Sequence, residues 1–265
     1  NVRYAPSVAE ALTGADAVIN LVGILFQAGS QRFDTVQAGG AATVARLAAE
    51  AGIKSFIHVS AIGADPESES DYARTKGEAE RAVREAIPSA TIIRPSIIFG
   101  PEDSFFNKFA TMASFSPALP LIGGGKTKFQ PIYVDDAADA ICAALERADA
   151  AGRIYEIGGP RVYTFRELME QMLAETGQRR LLAPVPFPVA SLMALGGEIA
   201  GVLPFVEPPV TRDQVKQLKS DNVVDTGGAV GTLADLGVTP DTVEAVLPSY
   251  MVRYRKYGQF AEHAA

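Results

Sequence analysis

Asp16-Ala-Val-Ile-Asn-Leu-Val22 is the stretch that decides the fold, because almost all of its positions are apolar. A strand that is apolar on both faces is typical of a parallel sheet with helices on either side. Similar strands at 55–60 and 90–94 follow helical stretches at about 32–51 and 71–86. The alternation predicts an α/β fold with a doubly wound parallel sheet, in which ligands bind at the carboxyl ends of the strands.

The composition limits the classes of function. The 265 residues, 48% of them hydrophobic, are enough to bury a substantial core. The formal charge of −7 repels phosphate backbones, so we expect no nucleic-acid partner. The single cysteine, Cys142, excludes an intrachain disulfide, and the two histidines, His58 and His263, argue against a histidine-rich metal site. We predict that Cys142 and His58 are core residues.

Tyr72-Ala-Arg-Thr-Lys76 is the sharpest chemical signal in the sequence. The four-residue spacing places the phenol and the ammonium on one face of a helix that follows the strand at 55–60. A nearby cation favours the phenolate, so we expect a lowered pKa for Tyr72 and proton exchange with an alcohol or carbonyl. The alternative is an ordinary surface helix that carries a tyrosine and a lysine.

Other motifs have structural interpretations. Gly123-Gly-Gly-Lys-Thr127 is not a phosphate-binding P-loop, because Pro120 stands where that motif needs its first glycine. Asp135 and Asp136 open a predicted helix and are explained as favourable charges at its N-terminus. Capping-box patterns starting at Ser7, Thr164 and Thr211 predict three further helix starts, the first for a short helix that ends near Gly14.

Four motifs together resemble the short-chain dehydrogenase/reductase superfamily, in its extended and atypical branches. They are Asn20-Leu-Val-Gly23, His58-Val-Ser-Ala61, the Tyr72/Lys76 pair and Arg94-Pro-Ser-Ile-Ile-Phe-Gly-Pro101. The resemblance implies a Rossmann-like sheet and a nicotinamide cofactor.

The resemblance also implies roles for individual residues. If the protein is active, Tyr72 is the acid/base, Lys76 binds the ribose and lowers the pKa of the tyrosine, and Ser60 polarises the substrate. A larger set of residues is implied to line the cofactor: Leu21, Val22, Gly23, Val59, Ser60, Ala61, Tyr72, Lys76, Pro95, Ser96 and Ile97.

The finer resemblance is to the complex I alpha-subcomplex subunit 9 family, a non-catalytic NADPH-binding branch. It rests on residues 20–25, 58–65, 129–135, 211–215 and 219–222 and extends over nearly the whole chain. The resemblance implies NADP(H) as the favoured cofactor, with NAD(H) as the alternative. It also implies the peripheral arm of respiratory complex I as partner. The location would be peripheral on the inner membrane, on the cytoplasmic side in bacteria or the matrix side in mitochondria.

Two departures from the superfamily pattern shape the expectation. The glycine-rich turn that receives the pyrophosphate is absent, and the sequence starts at Asn1 without an initiator methionine. We therefore expect that the first strands of the fold are missing from this sequence. Active members often carry a hydroxyl where Ala61 stands, which favours binding over turnover.

The domain organisation follows from these motifs and from the loss of helix–strand alternation after Pro95. We predict a Rossmann-like dinucleotide-binding domain at 1–100 and 129–150. A small C-terminal α/β lobe with docking segments is predicted at 101–128 and 151–265.

Two segments suggest a docking surface. Residues 181–206 contain a single charge, Glu198, and are interrupted by prolines and glycines, which argues against a spanning helix. Residues 250–257 alternate aromatic and basic side chains. We interpret both as a contact with the lipid interface or with an acidic partner. The alternatives are a buried lobe helix and a solvated basic helix end.

The leading hypothesis is therefore an NAD(P)H-binding, non-catalytic accessory subunit of respiratory complex I. The first alternative is an active NAD(P)-dependent reductase, epimerase or dehydratase acting on a carbonyl or nucleotide-sugar substrate. The second alternative is a free NADP(H)-sensing regulatory protein.

Overall fold

The computed structural model describes residues 1–200, 210–256 and 258. Contacts divide the chain into two compact units, which are described separately below. The first unit consists of Asn1–Pro95, Ala137–Ile157 and Val224–Thr239; the second falls within Ser96–Asp136, Gly158–Val223 and Pro240–Ala265. The domain boundaries predicted from the sequence stay a prediction, because compact units defined by contacts do not show which parts fold independently.

Ten strands lie in the described residues. In chain order they are β1 (Ala17–Asn20), β2 (Ser55–Val59), β3 (Thr91–Pro95), β4 (Ile98–Phe99), β5 (Ala118–Ile122), β6 (Lys128–Phe129), β7 (Ile132–Tyr133), β8 (Ile154–Ile157), β9 (Tyr163–Thr164) and β10 (Leu181–Val185).

Ten α-helices are found in the same ranges. In chain order they are α1 (Ala5–Leu12), α2 (Gly39–Glu50), α3 (Asp71–Ala86), α4 (Phe106–Phe115), α5 (Val134–Glu146), α6 (Phe165–Thr176), α7 (Phe187–Ala200), α8 (Arg212–Gln217), α9 (Leu233–Leu236) and α10 (Val243–Met251). A π-helical turn, Asp34–Ala38, leads directly into α2.

The first unit is built on a four-stranded sheet with the order β1-β2-β3-β8. Every neighbouring pair is parallel, with Asn20 opposite His58 and Ile93 opposite both Val59 and Tyr155. Because all four strands run in one direction, their carboxyl ends lie along a single edge. The predicted α/β class with a parallel sheet is confirmed.

Helix α3 carries the Tyr72/Lys76 pair and has the bounds that the sequence predicts. The Ser70 hydroxyl accepts a hydrogen bond from the amide of Ala73, which caps the helix at its start. Pro88 follows the last turn closely and prevents its continuation. Gly77 allows the preceding loop to lie directly on the helix, because a Cβ there would be 2.4 Å from the nitrogen of Pro66.

Small residues bring the helices of the first unit close together. Helix α2 packs against both α1 and α3, and Ala45, Ala48 and Val83 are completely buried at these contacts. Alanine side chains keep the helix axes near one another, which fits the alanine-rich stretch of the sequence. The result is a rigid layer that holds α3 in place.

The second unit contains three two-stranded sheets: β10 with β5, β4 with β7, and β6 with β9. Its core is a cluster of aromatic rings, among them Phe105, Phe109 and Phe165, with ring centroids 5.3–6.0 Å apart. The capping boxes predicted at Thr164 and Thr211 are present. The one predicted at Ser7 in the first unit is wrong, because α1 starts at Ala5 and its N-cap residue, Tyr4, makes no side-chain hydrogen bond.

Three burial expectations can be compared with the structure. His58 is buried, as predicted. The prediction for Cys142 is wrong, because the thiol is exposed on α5. Ala137, Ala140 and Ala144 form the buried face of that helix, and position 142 points away from it. Strand β1 is less covered than its apolar sequence predicts: it forms an edge of the sheet.

The proposed docking segments fall partly inside the described residues. Residues 181–200 form β10 and α7, on which Leu181, Leu192 and Met193 are well exposed, while residues 201–206 lie outside the described part. Tyr257 of the second segment also lies outside it. No helix within 1–200, 210–256 and 258 has both the length and the apolar character to span a membrane.

Candidate functional site

Three strand ends of the first unit meet at the carboxyl edge of its sheet. Strand β1 ends at Asn20, β2 at Val59 and β3 at Pro95. After β2 the chain stays beside β3, because the amide of Ser60 donates to the carbonyl of Ile93. Loops that leave such an edge are where ligands of open parallel sheets bind.

Lys76 reaches this edge from α3. Its side chain is buried, with the residue only 5% exposed, and Nζ donates a hydrogen bond to the carbonyl of Val59 at 3.2 Å. Burial lowers the pKa of Lys76 to about 8, and the carboxylate of Glu80 offsets part of that effect. The ammonium is therefore held at a strand end in a poorly solvated place.

Tyr72 lies one helical turn before Lys76 and does not have the expected pKa. Nζ of Lys76 is 6.0 Å from the centroid of the tyrosine ring. Burial raises the pKa of Tyr72 to about 12, so the predicted lowering is wrong. The loss of solvation of the phenolate outweighs the attraction of the ammonium.

Two polar atoms on β2 and just after it stand out. Ser60 Oγ and His58 Nε2 are buried and have no hydrogen-bond partner among the described residues. Burial, assisted by the charge of Lys76, lowers the pKa of His58 to about 3, so the imidazole is neutral. Buried polar atoms in this condition are a common mark of a site that takes up water or a ligand.

The loop after β1 runs across Lys76. A Cβ at Gly23 would lie 3.2 Å from Nζ of Lys76, so a larger residue would push against the ammonium. Leu21 and Val22 expose their side chains beside this point. A cavity of about 300 Å³ adjoins the loop and also the N-terminal residues; neither Lys76 nor Ser60 is in its lining, which consists of Asn1, Val2, Arg3, Val22, Gly23, Ile24, Gln31 and Val36.

The other predicted cofactor residues are divided between the units. Ala61 and Pro95 belong to the first unit, together with all the residues described above. Ser96 and Ile97 belong to the second unit, where the hydroxyl of Ser96 donates to Oδ1 of Asn222 at 2.7 Å. The roles of all these residues stay predictions.

Sequence reasoning missed three buried polar side chains at the same edge: those of Asn20, Gln37 and Thr75. Asn20 is the first residue of the Asn20-Leu-Val-Gly23 motif, which is the signal that could have identified it. Gln37 carries a weak signal, because it is a polar residue in an apolar, alanine-rich stretch. Their hydrogen bonds are taken up below.

Comparison with known proteins identifies the family. The model of the NAD dependent epimerase/dehydratase family matches residues 1–158, which is more than half of the 265-residue chain. The chain belongs to the NAD dependent epimerase/dehydratase family. The matched residues include β1 to β3 and α3, and therefore the whole carboxyl edge described above.

Several relatives match nearly the whole chain. NADH dehydrogenase (ubiquinone) 1 alpha subcomplex subunit 9, mitochondrial, from Arabidopsis thaliana is 36% identical over 97% of this chain and 65% of that protein. The protein of the same name from Mus musculus is 35% identical over 96% of this chain and 66% of that protein. The resemblance found in the motifs is confirmed. The chain spans 65–66% of the length of these two relatives.

Solved structures share the fold of this epimerase/dehydratase family member. A dTDP-glucose 4,6-dehydratase from Streptomyces venezuelae with NAD bound superposes with a TM-score of 0.69 and 21% identity, covering 100% of this chain and 81% of that one. A dTDP-4-dehydrorhamnose reductase from Bacillus anthracis in complex with NADP gives 0.64 and 14%, covering 96% and 86%. Structures of this fold thus occur with either dinucleotide.

Proposed function

We propose that this chain is an NAD(P)H-binding accessory subunit of respiratory complex I, in which the dinucleotide has a structural role. The observation that carries the proposal is the similarity of 36% identity over 97% of the chain to a complex I subunit 9 protein. Membership of an NAD-dependent family supplies the cofactor class.

The carboxyl edge of the sheet fits a dinucleotide in three respects. The ammonium of Lys76 can donate to ribose hydroxyls, and the missing Cβ of Gly23 keeps the approach to it open. Ser60 Oγ, buried and without a partner among the described residues, would be a further hydrogen-bonding group beside the ligand. A nicotinamide bound here supplies hydride chemistry in enzymes of this kind.

The protonation chemistry of the site supports binding over turnover. A general acid or base works best when its pKa lies near the working pH. The pKa of Tyr72, raised to about 12 by burial, is far from that range. Ala61, next to the orphaned Ser60, provides no second hydroxyl.

The finer features are part of the same proposal. NADP(H) is favoured over NAD(H) through the resemblance to the NADPH-binding branch. We place the protein on the peripheral arm of the complex, at the matrix or cytoplasmic face of the inner membrane. The exposed apolar side chains of Leu181, Leu192 and Met193 are the candidate contact with a partner or with lipid. Residues 250–256 contribute less, because Arg253 and Arg255 donate to backbone carbonyls of their own unit.

The test is native purification. A tagged chain expressed at its natural level should be recovered from detergent-solubilised membranes together with complex I subunits. Nucleotide released from the purified complex by warm aqueous ethanol near neutral pH, where both redox states survive, should be NADP(H), at one per copy of the chain, when separated by chromatography. Recovery of the chain as a free protein would contradict the subunit assignment, and recovery of NAD(H) would contradict the cofactor preference.

A second candidate is an active NAD(P)-dependent reductase or epimerase, favoured by the Tyr72/Lys76 pair on one helix and the buried hydroxyl of Ser60. We expect Tyr72→Phe to leave complex I activity and NADPH binding unchanged, because the phenol transfers no proton in the structural role. The NADH:quinone rate of the variant complex and its NADPH affinity test the structural role, and NAD(P)H-dependent turnover of a carbonyl or nucleotide-sugar substrate tests the enzyme. An enzyme would lose activity by at least about a hundredfold on removal of its acid/base.

A further inference from the structure

Two buried amide side chains hold the loop that crosses Lys76. The first is Asn20, at the end of β1. Its Oδ1 accepts the backbone N–H of Val22 at 3.2 Å, and its Nδ2 lies 3.1 Å from Nδ1 of His58. Because Oδ1 faces a backbone donor, the amide is oriented with its NH2 group towards the histidine.

This orientation fixes the tautomer of His58. The amide donates to Nδ1, so Nδ1 carries no proton and Nε2 carries the hydrogen of the neutral ring. The low pKa of His58 agrees, because an imidazolium could not accept this bond. His58 is thus a buried acceptor on β2 that holds Asn20 in one rotamer.

The second amide is Gln37, in the π-helical turn before α2. Its Oε1 accepts the backbone N–H of Ile24 at 3.3 Å, and its Nε2 donates to Oγ1 of Thr75 at 2.9 Å. The hydroxyl of Thr75 in turn donates its own hydrogen to the carbonyl of Asp71, so its oxygen acts as the acceptor for Gln37. Gln37 therefore connects the loop to α3 one residue before Lys76.

The loop has little else to hold it in the first unit. Leu21 is 63% exposed and Leu25 is 54% exposed, so burial of apolar side chains does not fix the backbone between them. The two amides bind the N–H groups on either side of Gly23, and Gly23 is the residue that passes Lys76. The clamped positions thus bracket Gly23, which lies beside the ammonium.

We propose that Asn20 and Gln37 are positioning residues that clamp the Leu21–Leu25 loop. They keep the backbone of Gly23 at a distance from the Lys76 ammonium that leaves room for a bound dinucleotide. The inference deepens the proposed cofactor site and rests on it. Neither residue needs to touch the cofactor. Each acts by accepting a hydrogen bond from a backbone N–H of the loop. Without these bonds the loop could move towards the ammonium or away from it.

The experiment uses Asn20→Leu and Gln37→Met in the full chain, which keep the branching of asparagine and the approximate length of glutamine and remove the polar groups. The matched control is Thr91→Val, which deletes a buried hydrogen bond to the carbonyl of Ala150 elsewhere in the same unit. Two quantities are measured for each protein: amide hydrogen exchange of Val22 and Ile24 without nucleotide, and the dissociation constant for NADPH by calorimetry.

We expect Asn20→Leu to speed exchange at Val22, and Gln37→Met at Ile24, by at least about tenfold, since each loses its acceptor. Both should weaken NADPH binding by about fivefold or more, the equivalent of one lost hydrogen bond. Thr91→Val should lower stability without either effect.

The outcomes separate the inference from the function on which it rests. If the unaltered chain does not bind NADPH, the proposed function fails, while the exchange rates still decide whether the clamp exists. Unchanged exchange in both variants overturns the clamp. Faster exchange with NADPH affinity equal to that of the unaltered chain overturns its role in positioning the cofactor.

Discussion

Replacing Lys76 with methionine is expected to abolish measurable NADPH binding while making the unliganded chain more stable at neutral pH. The two effects have one cause. The ammonium is buried at the end of β2, where it is proposed to donate hydrogen bonds to the ribose and is poorly solvated when no ligand is bound. Functional sites of this kind commonly trade stability for binding.

The size of the stability change follows from the pKa of Lys76, which falls from 10.5 to about 8 on folding. Such a shift corresponds to about 3 kcal/mol of destabilisation while the lysine is charged in both states. The destabilisation is complete below pH 8. It disappears as the pH rises towards 10.5, because the unfolded chain then holds more protons than the folded one. Loss of the bond to Val59 offsets about 1 kcal/mol of the gain from methionine.

The measurement is urea unfolding of the unliganded chain between pH 6.5 and 9.5. The unaltered protein should gain stability above pH 8 relative to Lys76→Met, and the difference at pH 7 should favour the variant by about 2 kcal/mol. Lys54→Met, at an exposed position, is the matched control and should alter neither NADPH affinity nor the pH profile. A Lys76→Met protein that is less stable at pH 7 would show that the ammonium is well solvated in the native state.

Local signals in the sequence were sufficient for the elements that form the site. The bounds of α3 follow from the cap at Ser70 and the proline at position 88, and the strands follow from short apolar runs. The parallel arrangement follows from their alternation with helices. These features depend on residues close together along the chain, and a single sequence displays them directly.

Tertiary properties could not be derived in this way. The bond between Asn20 and His58 and the bond between Gln37 and Thr75 each join residues 38 positions apart, and they depend on the register of β1 on β2 and on the packing of α3. The direction of the Tyr72 pKa shift was mistaken for a similar reason. Spacing showed the neighbouring cation, whereas burial, which decides the sign, comes from the packed structure.

Arg94→Met is expected to destabilise the chain by about 3–5 kcal/mol, the largest loss we predict for a single substitution in the first unit. The guanidinium lies at the end of β3 and makes two hydrogen bonds to Glu80, of 2.8 and 2.6 Å. It also contacts Glu156 at 3.4 Å, and all three groups are largely shielded from solvent. Without the arginine, two carboxylates are left in a poorly solvated place with no cation between them.

The double variant Arg94→Met/Glu80→Leu distinguishes this cause from a simple loss of packing. It removes both members of the two-bond pair and replaces them with apolar groups, which is often close to neutral. We therefore expect it to recover at least about half of the loss seen for Arg94→Met, measured by urea unfolding at pH 7. Glu156 keeps a partner in the double variant, because it accepts the amide of Asp225.

Arg46→Met provides the scale for an exposed ion pair. Arg46 and Glu50 are more than half exposed and one helical turn apart on α2. Loss of this ion pair in Arg46→Met should therefore lower the free energy of unfolding by less than about 1 kcal/mol. If Arg94→Met costs no more than Arg46→Met, the pair with Glu80 is solvated in the native state and does not fix the end of β3. If instead the double variant is less stable than Arg94→Met alone, then Glu80 contributes through contacts other than the arginine. The ordering of the three variants therefore decides whether the strand end beside Pro95 is held by charge or by packing.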